Sequence, residues 1–273
     1  MPMASTLRFQ EIERSEWPSF HDRVVGLEAG ITYPLGEDRF EIDHGENYAA
    51  FFDRLGDFVY YAVLDGEQVV AGAGAILRKV PKAPGEEPRK IWYGCDLKVI
   101  PSHRGERIPW RIVKHAFLKQ YLRCGRGYGI TMNPGDGSPN PVVRMAGRFW
   151  LGRSTVATTI HFFSFDRDAM AEEAELLEHH RGPLSYLSLA GKKDIVLQST
   201  GAAMPLLHVQ FGPCAAPGHP APLPDHVHMF CVPEEDPLLN ELTHRGHSPH
   251  ASASVLQHRM KGWDWRFILT SDI

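Results

Sequence analysis

The sequence of 273 residues contains little cysteine, and its spacing does not favour metal binding or cross-linking. The four cysteines are scattered without a CxxC pair, at Cys95, Cys124, Cys214 and Cys231. Closely spaced cysteine pairs are the usual sign of a zinc site, and dense cysteine is the usual sign of a disulfide scaffold. We therefore predict four free thiols, which pack as small apolar side chains.

The sequence also lacks a long apolar run and an excess of positive charge. No run approaches the roughly 20 apolar residues that cross a membrane, and residues 1–17 lack the basic-then-apolar layout of a signal peptide. The formal net charge is −4, whereas proteins that bind nucleic acid usually present a strongly basic face. We expect a cytoplasmic globular protein that contacts neither membrane nor nucleic acid.

Alternating strand and helix patterns extend over residues 6–165. Two β-rich runs over 58–80 are joined at Asp65-Gly66, a pair that favours a tight hairpin turn. Residues 110–122 have apolar side chains at helical spacing. The other predicted elements are strands at 6–12, 91–100, 127–132 and 154–165 and helices at 16–28, 46–55 and 141–151. This order predicts a mixed α/β fold.

The composition changes near residue 166, so we predict a first domain over 1–165 and an accessory domain over 166–273. The second part begins with an acidic helical pattern at 168–180 and contains a proline-rich stretch at 212–225. Its other predicted elements are a strand at 226–232, helices near 236–243 and 252–260, and a closing strand at 265–270. No internal repeat is visible in the sequence.

The stretch VIPSHRGERIPWR, residues 99–111, joins a predicted strand to a predicted helix. A helix N-terminus offers unpaired N–H groups that bind anions such as phosphate. Here the available N–H groups belong to Gly105, Glu106, Arg107 and Ile108. Pro109 has no N–H, but proline is well suited to the first turn of a helix. The pattern therefore favours an anion site, with an ordinary strand-to-helix turn as the alternative.

The element order over 58–165 and the segment LKVIPSHRGERIPWRIVKHAF (97–117) resemble the GNAT superfamily of acyl-CoA N-acyltransferases. In that family a strand ending in V-x-P is followed by arginine/glutamine-x-x-glycine-x-glycine/alanine, whose amides bind the pyrophosphate of coenzyme A. Val99, Arg104 and Gly105 fit this motif. Arg107 stands where the family prefers glycine, and Pro109 where it prefers glycine or alanine.

The resemblance implies a mixed, mostly antiparallel, twisted sheet flanked by helices, with an appended C-terminal α/β segment. It also implies that acetyl-CoA or another acyl-CoA binds where two central strands splay, and that the acceptor is a small amine or amino acid. The C-terminal part would cover the cleft or form a homodimer interface. The binding residues implied are Leu97, Lys98, Val99, Arg104, Gly105, Glu106, Arg107, Ile108, Pro109 and Asn140.

Asp96 and Tyr93 are the predicted catalytic residues. Asp96 lies in a strand among apolar residues, where desolvation would raise its pKa and suit it to act as a base; a hydrogen-bonded structural aspartate is the alternative. Tyr93 shares a strand face with Cys95 and would line the cleft, with burial in the core as the alternative. Met145 falls where the family carries a tyrosine acid, and methionine has no proton to donate.

Two other functions remain open from the sequence. Arg107, Pro109 and Met145 favour a degenerate GNAT-like fold that serves as a non-catalytic acyl-CoA-binding or interaction module. The histidines of DHVHMFC (225–231) and HRGHSPH (244–250) would suit a metal-dependent enzyme, because imidazole is a good zinc ligand. Since these segments lack a paired cysteine motif, we predict no metal site.

Overall fold

The computed structural model describes residues 7–148, 153–212 and 215–273. Cys214 and the last residues of the predicted helix at 141–151 lie outside the described residues. Among the described helices, none combines the length and the apolar character that crossing a membrane requires.

The described elements are strands interspersed with mostly short helices along the chain. The strands are β1 (Arg8–Ile12), β2 (Tyr33–Leu35), β3 (Asp38–Asp43), β4 (Asp57–Asp65), β5 (Gln68–Val80), β6 (Arg89–Val99), β7 (Gly127–Met132), β8 (Thr155–Phe165), β9 (Leu184–Ser188), β10 (Asp194–Leu197), β11 (Leu206–Phe211), β12 (Val227–Pro233) and β13 (Ala251–His258). The α-helices are α1 (Trp17–Val25), α2 (Ala49–Asp53), α3 (Ile108–Arg123), α4 (Pro141–Ala146), α5 (Arg167–Glu172), α6 (Ala174–Arg181) and α7 (Pro237–His244).

Ten strands form one sheet in the order β1-β4-β5-β6-β7-β13-β8-β12-β11-β9. Neighbours are antiparallel except for β6–β7 and β11–β12, which are parallel. The hairpin of β4 and β5 turns at Gly66, whose φ of 58° suits glycine. A second sheet, in the order β10-β3-β2, has three strands. The predicted mixed, mostly antiparallel sheet is confirmed.

The part of the sheet formed by β4 to β6 is covered on both faces. On one face Phe58 of β4 belongs to an aromatic cluster that also includes Tyr48 and Phe52. The opposite face packs against Ile108 and Ile112 of α3, both buried. These two isoleucines fix the first turn of α3 against the sheet, and so fix the position of the loop that precedes α3.

Two C-terminal predictions were wrong. Residues 252–260, predicted as a helix, form most of β13, and residues 265–270, predicted as a strand, lie in 3-10 turns at Trp265–Phe267 and Thr270–Asp272. In β13 the residues 253–256 are all buried, so side chains on both faces of this strand are covered. A short run buried on both faces has no alternating pattern, so its periodicity does not separate strand from helix.

The sheet does not divide at the boundary predicted near residue 166. That position follows β8, but β13 from the C-terminal part lies between β7 and β8 and pairs with both. The strands β12, β11 and β9 then extend the same sheet beyond β8. The residues before and after 166 therefore share one sheet.

The sheet also has an approximate internal symmetry that the sequence does not show as a repeat. The parallel pair β6–β7 is followed by α4 and β8, and the parallel pair β11–β12 is followed by α7 and β13. Both helices begin with a polar N-cap and a proline, Asn140-Pro141 and Asp236-Pro237. The halves differ in their connections, because α3 joins β6 to β7 whereas the proline-rich stretch joins β11 to β12.

Candidate functional site

The parallel strands β6 and β7 separate after a short pairing. They pair only from Trp92↔Gly127 to Gly94↔Gly129. Asp96 then takes a φ of 54°, and the register between β5 and β6 shifts at this point. A bulge of this kind bends its strand. As a result β6 turns away from β7, and a gap opens between the two strands.

The backbone of β6 presents to this gap N–H groups that have no acceptor among the described residues. Ile100 N–H donates to the Val70 carbonyl on the β5 side, and Lys98 pairs with Gly72 of β5. Because successive strand residues direct their N–H groups to opposite sides, the N–H groups of Leu97 and Val99 face the gap. The stretch 97–99 thus lies at the splay, as the resemblance implies.

The loop after β6 leaves a group of backbone N–H groups without acceptors. Gly105 has a φ of 92° and Arg107 a φ of 57°, so the chain turns sharply into α3. Within the described part of the chain, the N–H groups of residues 105–108 donate no hydrogen bond. Residues 104–107 are exposed, and α3 is long enough to direct a positive dipole end at them. This donor set fits a pyrophosphate.

A basic groove continues from the loop between α3 and α4. Its volume is about 1190 Å³. The cationic residues that line it are Arg107, Arg111, Lys114, Arg144 and Arg148, and Glu106 is the carboxylate on its wall. The surplus of positive charge suits a ligand with several phosphate charges.

A cavity of about 560 Å³ lies at the gap and reaches both faces of the sheet. On one face Pro109, Ile112 and Val113 of α3 line it, and on the other face it is lined by the small sheet, including Phe40 and Ile195. The gap therefore connects the α3 side of the protein with a pocket under the three-stranded sheet.

Asp96 lies beside the gap but is held in a buried ion-pair cluster. Its carboxylate pairs with Lys98 and accepts a hydrogen bond of 2.6 Å from the Tyr48 hydroxyl. Lys98 also pairs with Glu28. Burial opposes the charged form of Lys98, but Asp96 and Glu28 raise its pKa above the ordinary value. The pKa of Glu28 is lowered: burial would raise it, but His44 and Lys98 outweigh burial.

The other predicted catalytic residue, Tyr93, is buried and lines the cavity. Its ring stacks on Tyr128 with 4.8 Å between the centroids. Burial raises the pKa of Tyr93 well above its ordinary value, and it does the same to the Cys95 thiol. Both side chains are therefore neutral at physiological pH.

Asn140 caps α4 and joins it to the end of β7. Its side-chain oxygen accepts from Val142 N–H at 3.0 Å, and its amide nitrogen donates to the Met132 carbonyl at 3.0 Å. The residue predicted to bind the cofactor thus positions α4. Met145, on the same helix, lines the cavity, so a side chain without a proton to donate lies there.

Sequence reasoning missed the residues that the C-terminal part contributes to the cavity. They are Lys193, Ile195, His208, Met229, Ala251, Leu256, His258, Thr270 and Ile273. Lys193 lies over the Phe51 ring, with its Nζ 4.6 Å from the centroid. Burial lowers the pKa of Lys193 to about 7, and the positive charges of Arg54 and Lys98 add to this shift. The residues next to Lys193 in the sequence give no sign that Lys193 lies in the cavity.

Three of the C-terminal histidines make contacts that are separate from one another. His228 is buried and accepts from Leu223 N–H at 3.1 Å, while His226 Nδ1 lies 2.8 Å from the Pro224 carbonyl. His247 lies 2.9 Å from Glu173. In the ranges the structure describes, no group of three or more histidine, cysteine or acidic side chains is arranged to hold a metal ion.

Comparisons with known proteins add distant likenesses. No family model matches the chain. A protein of Acanthamoeba polyphaga mimivirus, the uncharacterized protein L340, is 21% identical over 274 residues, which cover 98% of this chain and 80% of that protein.

Two solved structures are similar at low sequence identity. A tandem GNAT protein from the clavulanic acid biosynthesis pathway is 11% identical with a TM-score of 0.49, over 95% of this chain and 100% of that one. Eis1 of Mycobacterium abscessus is 14% identical with a TM-score of 0.37, over 68% of this chain and 40% of that one. The chain thus spans less than half the length of Eis1.

Proposed function

We propose that this chain, which has a GNAT-like fold, transfers an acyl group, acetyl in the simplest case, from coenzyme A to a small amine. The observation that carries the proposal is the position of two donor sets beside one gap. The unpaired N–H groups of residues 105–108 lie at the start of α3, and those of Leu97 and Val99 face the space between β6 and β7. An extended thioester ligand with a pyrophosphate at one end matches this arrangement.

In this proposal the phosphates of acyl-CoA bind along the α3 side. The pyrophosphate accepts hydrogen bonds from the amides of residues 105–108, and Arg104 and Arg107 add charge-assisted bonds. The remaining phosphate charge of the nucleotide lies in the basic groove, near Arg111 and Arg144. The pantetheine then runs along residues 97–99 into the cavity.

Transfer is a direct reaction between the two bound substrates. The ammonium first gives up a proton to water, and the neutral amine nitrogen then attacks the thioester carbonyl carbon; a C–N bond forms and the C–S bond breaks. The N–H groups that face the gap stabilise the negative charge on the carbonyl oxygen. The proton that nitrogen loses after the attack ends on the coenzyme A sulfur. Because a thiol has a pKa near 8.5, this sulfur leaves without an acid, which is compatible with methionine at position 145.

A non-catalytic acyl-CoA-binding module is the second candidate. Two observations favour it. The carboxylate of Asp96 is already engaged by Lys98 and Tyr48, and Met145 replaces the acid expected from the resemblance. In this alternative the cofactor site is retained and the transfer step is absent.

Ligand binding and turnover separate these possibilities. We expect coenzyme A and acetyl-CoA to raise the melting temperature, since a ligand at 100 times its Kd stabilises a protein by about 2.7 kcal/mol. Release of the coenzyme A thiol, followed with a thiol reagent over a panel of amines, measures transfer. Stabilisation without thiol release from any amine supports the binding module. No stabilisation at millimolar coenzyme A refutes both.

A further inference from the structure

We infer that the acyl acceptor carries a carboxylate and that Lys193 binds it. The inference rests on the proposed function, because it concerns the second substrate of that transfer. It names a chemical class, an amine that also bears a carboxylate, and a binding residue that lies outside the region of GNAT resemblance.

Lys193 is placed where an acceptor would enter. It immediately precedes β10, which pairs with β3 in the small sheet that covers the cavity. Its side chain lines the cavity on the face of the sheet opposite α3. A thioester that enters from α3 would therefore meet, across the gap, a pocket whose wall includes Lys193.

Lys193 has no counterion among the residues the structure describes. The neighbouring carboxylates are already taken: Asp272 accepts from Arg78 at 2.9 Å and lies 3.8 Å from Arg54. Glu28 and Asp96 share the ammonium of Lys98, as described above.

The carboxylates nearest in effect to Lys193, Glu28 and Asp272, are thus paired with other cations. Among the described residues, the Lys193 ammonium is left without an ion-pair partner of its own. An uncompensated charge away from water is costly. A carboxylate on the ligand would remove this cost, so binding energy would be gained at this position.

The rest of the pocket indicates the body of such an acceptor. Apart from its charged groups, the cavity wall is largely apolar or aromatic, with Phe40, Ile42, Phe51 and Met229. Walls of this kind with a few placed charged groups suit a ligand that has an apolar body and an ionised end. The chemistry is that of an amino acid with an apolar or aromatic side chain.

The test compares amines that differ only by the carboxylate. The pairs are phenylalanine with phenethylamine and leucine with 3-methylbutylamine, each measured by melting temperature in the presence of coenzyme A and by thiol release with acetyl-CoA. For the wild type we expect the amino acid of at least one pair to bind at least tenfold more tightly than its amine. Lys193→Gln should abolish the preference, and Lys193→Arg should keep part of it.

The neighbouring exposed lysine provides the matched control. Lys192→Gln removes a charge one residue away and should leave the preference intact, and coenzyme A should stabilise all variants equally. Any of three results would overturn the inference: equal binding within every pair, a preference that survives Lys193→Gln, or no detectable binding of either amino acid. If the variants instead show that Lys193 favours succinyl-CoA over acetyl-CoA as the donor, Lys193 binds the acyl group, which would also overturn the inference. If coenzyme A itself does not bind, the proposed function is refuted, and this result is distinct from a failure of the Lys193 inference alone.

Discussion

Replacing Lys193 by methionine is expected to stabilise the protein at neutral pH. The substitution keeps the length of the side chain and removes a charge that has no counterion in the described structure. Burial lowers the pKa of Lys193 from its ordinary value of 10.5 to about 7. Each pKa unit corresponds to about 1.4 kcal/mol, so the full shift costs on the order of 4 kcal/mol at pH 7. Because the side chain is partly accessible from the cavity, we expect a gain of about 2 to 4 kcal/mol.

The pH dependence identifies the cause of this gain. Between pH 7 and 10.5 the unfolded wild type binds the Lys193 proton and the folded wild type does not, so its stability rises with pH. The advantage of Lys193→Met should therefore fall by about half between pH 7 and 9 and fade above pH 10. Besides burial, the charged groups that shift the pKa of Lys193, and so set this pH range, are Arg54, Glu28, Lys98 and Asp272. The neighbouring His208 stays neutral, because burial, Lys193 and Arg54 lower its pKa.

Urea unfolding of wild type and variant at pH 6, 7, 8, 9 and 10 measures this difference. Lys192→Met is the control, because Lys192 is exposed and its loss should change the free energy of unfolding by less than about 0.5 kcal/mol. A variant that is less stable than the wild type at pH 7, or a gain that does not change with pH, would refute the reasoning.

Four further substitutions, of which Gly262→Ala is a control, test the site and its supports. Lys98→Met should destabilise the protein by about 3 to 5 kcal/mol in urea unfolding, since it leaves two buried carboxylates without their cation; a neutral effect would contradict the ion-pair cluster. Gly105→Ala and Gly262→Ala both place a side chain at positive φ and should each cost about 1 kcal/mol, but only Gly105→Ala should weaken coenzyme A binding in calorimetry. Asn140→Ala should cost about 1 kcal/mol through loss of the α4 cap, and an unchanged melting temperature would argue against that role.

Local residues were enough to predict the hairpin and the loop of the candidate site. The backbone preferences of Asp65-Gly66 determine the hairpin turn. The V-x-P motif at the end of the strand, followed by Gly105, marks the strand-to-helix junction. In both cases the decisive interactions lie within a few residues, so the sequence pattern contains them.

Long-range interactions explain what could not be predicted. The environment of Asp96 depends on Glu28 and Tyr48, which are distant in sequence, and so the desolvated base expected from its apolar neighbours is in fact paired. Lys193 enters the cavity because β10 pairs with β3, and nothing near Lys193 signals that pairing. β13 was mistaken for a helix because burial on both faces removed its alternation.

The place of β13 in the middle of the sheet has a consequence for the order of folding. Residues 251–258 separate β7 from β8, which are both complete by residue 165. At a synthesis rate of about 5 to 20 residues per second, the nascent chain would wait several seconds before this strand could be inserted. Until then β7 and β8 have unpaired edges, which favour association with other chains. We expect the growing chain to depend on chaperones during that interval, and the last residues that line the cavity to reach their places only at its end.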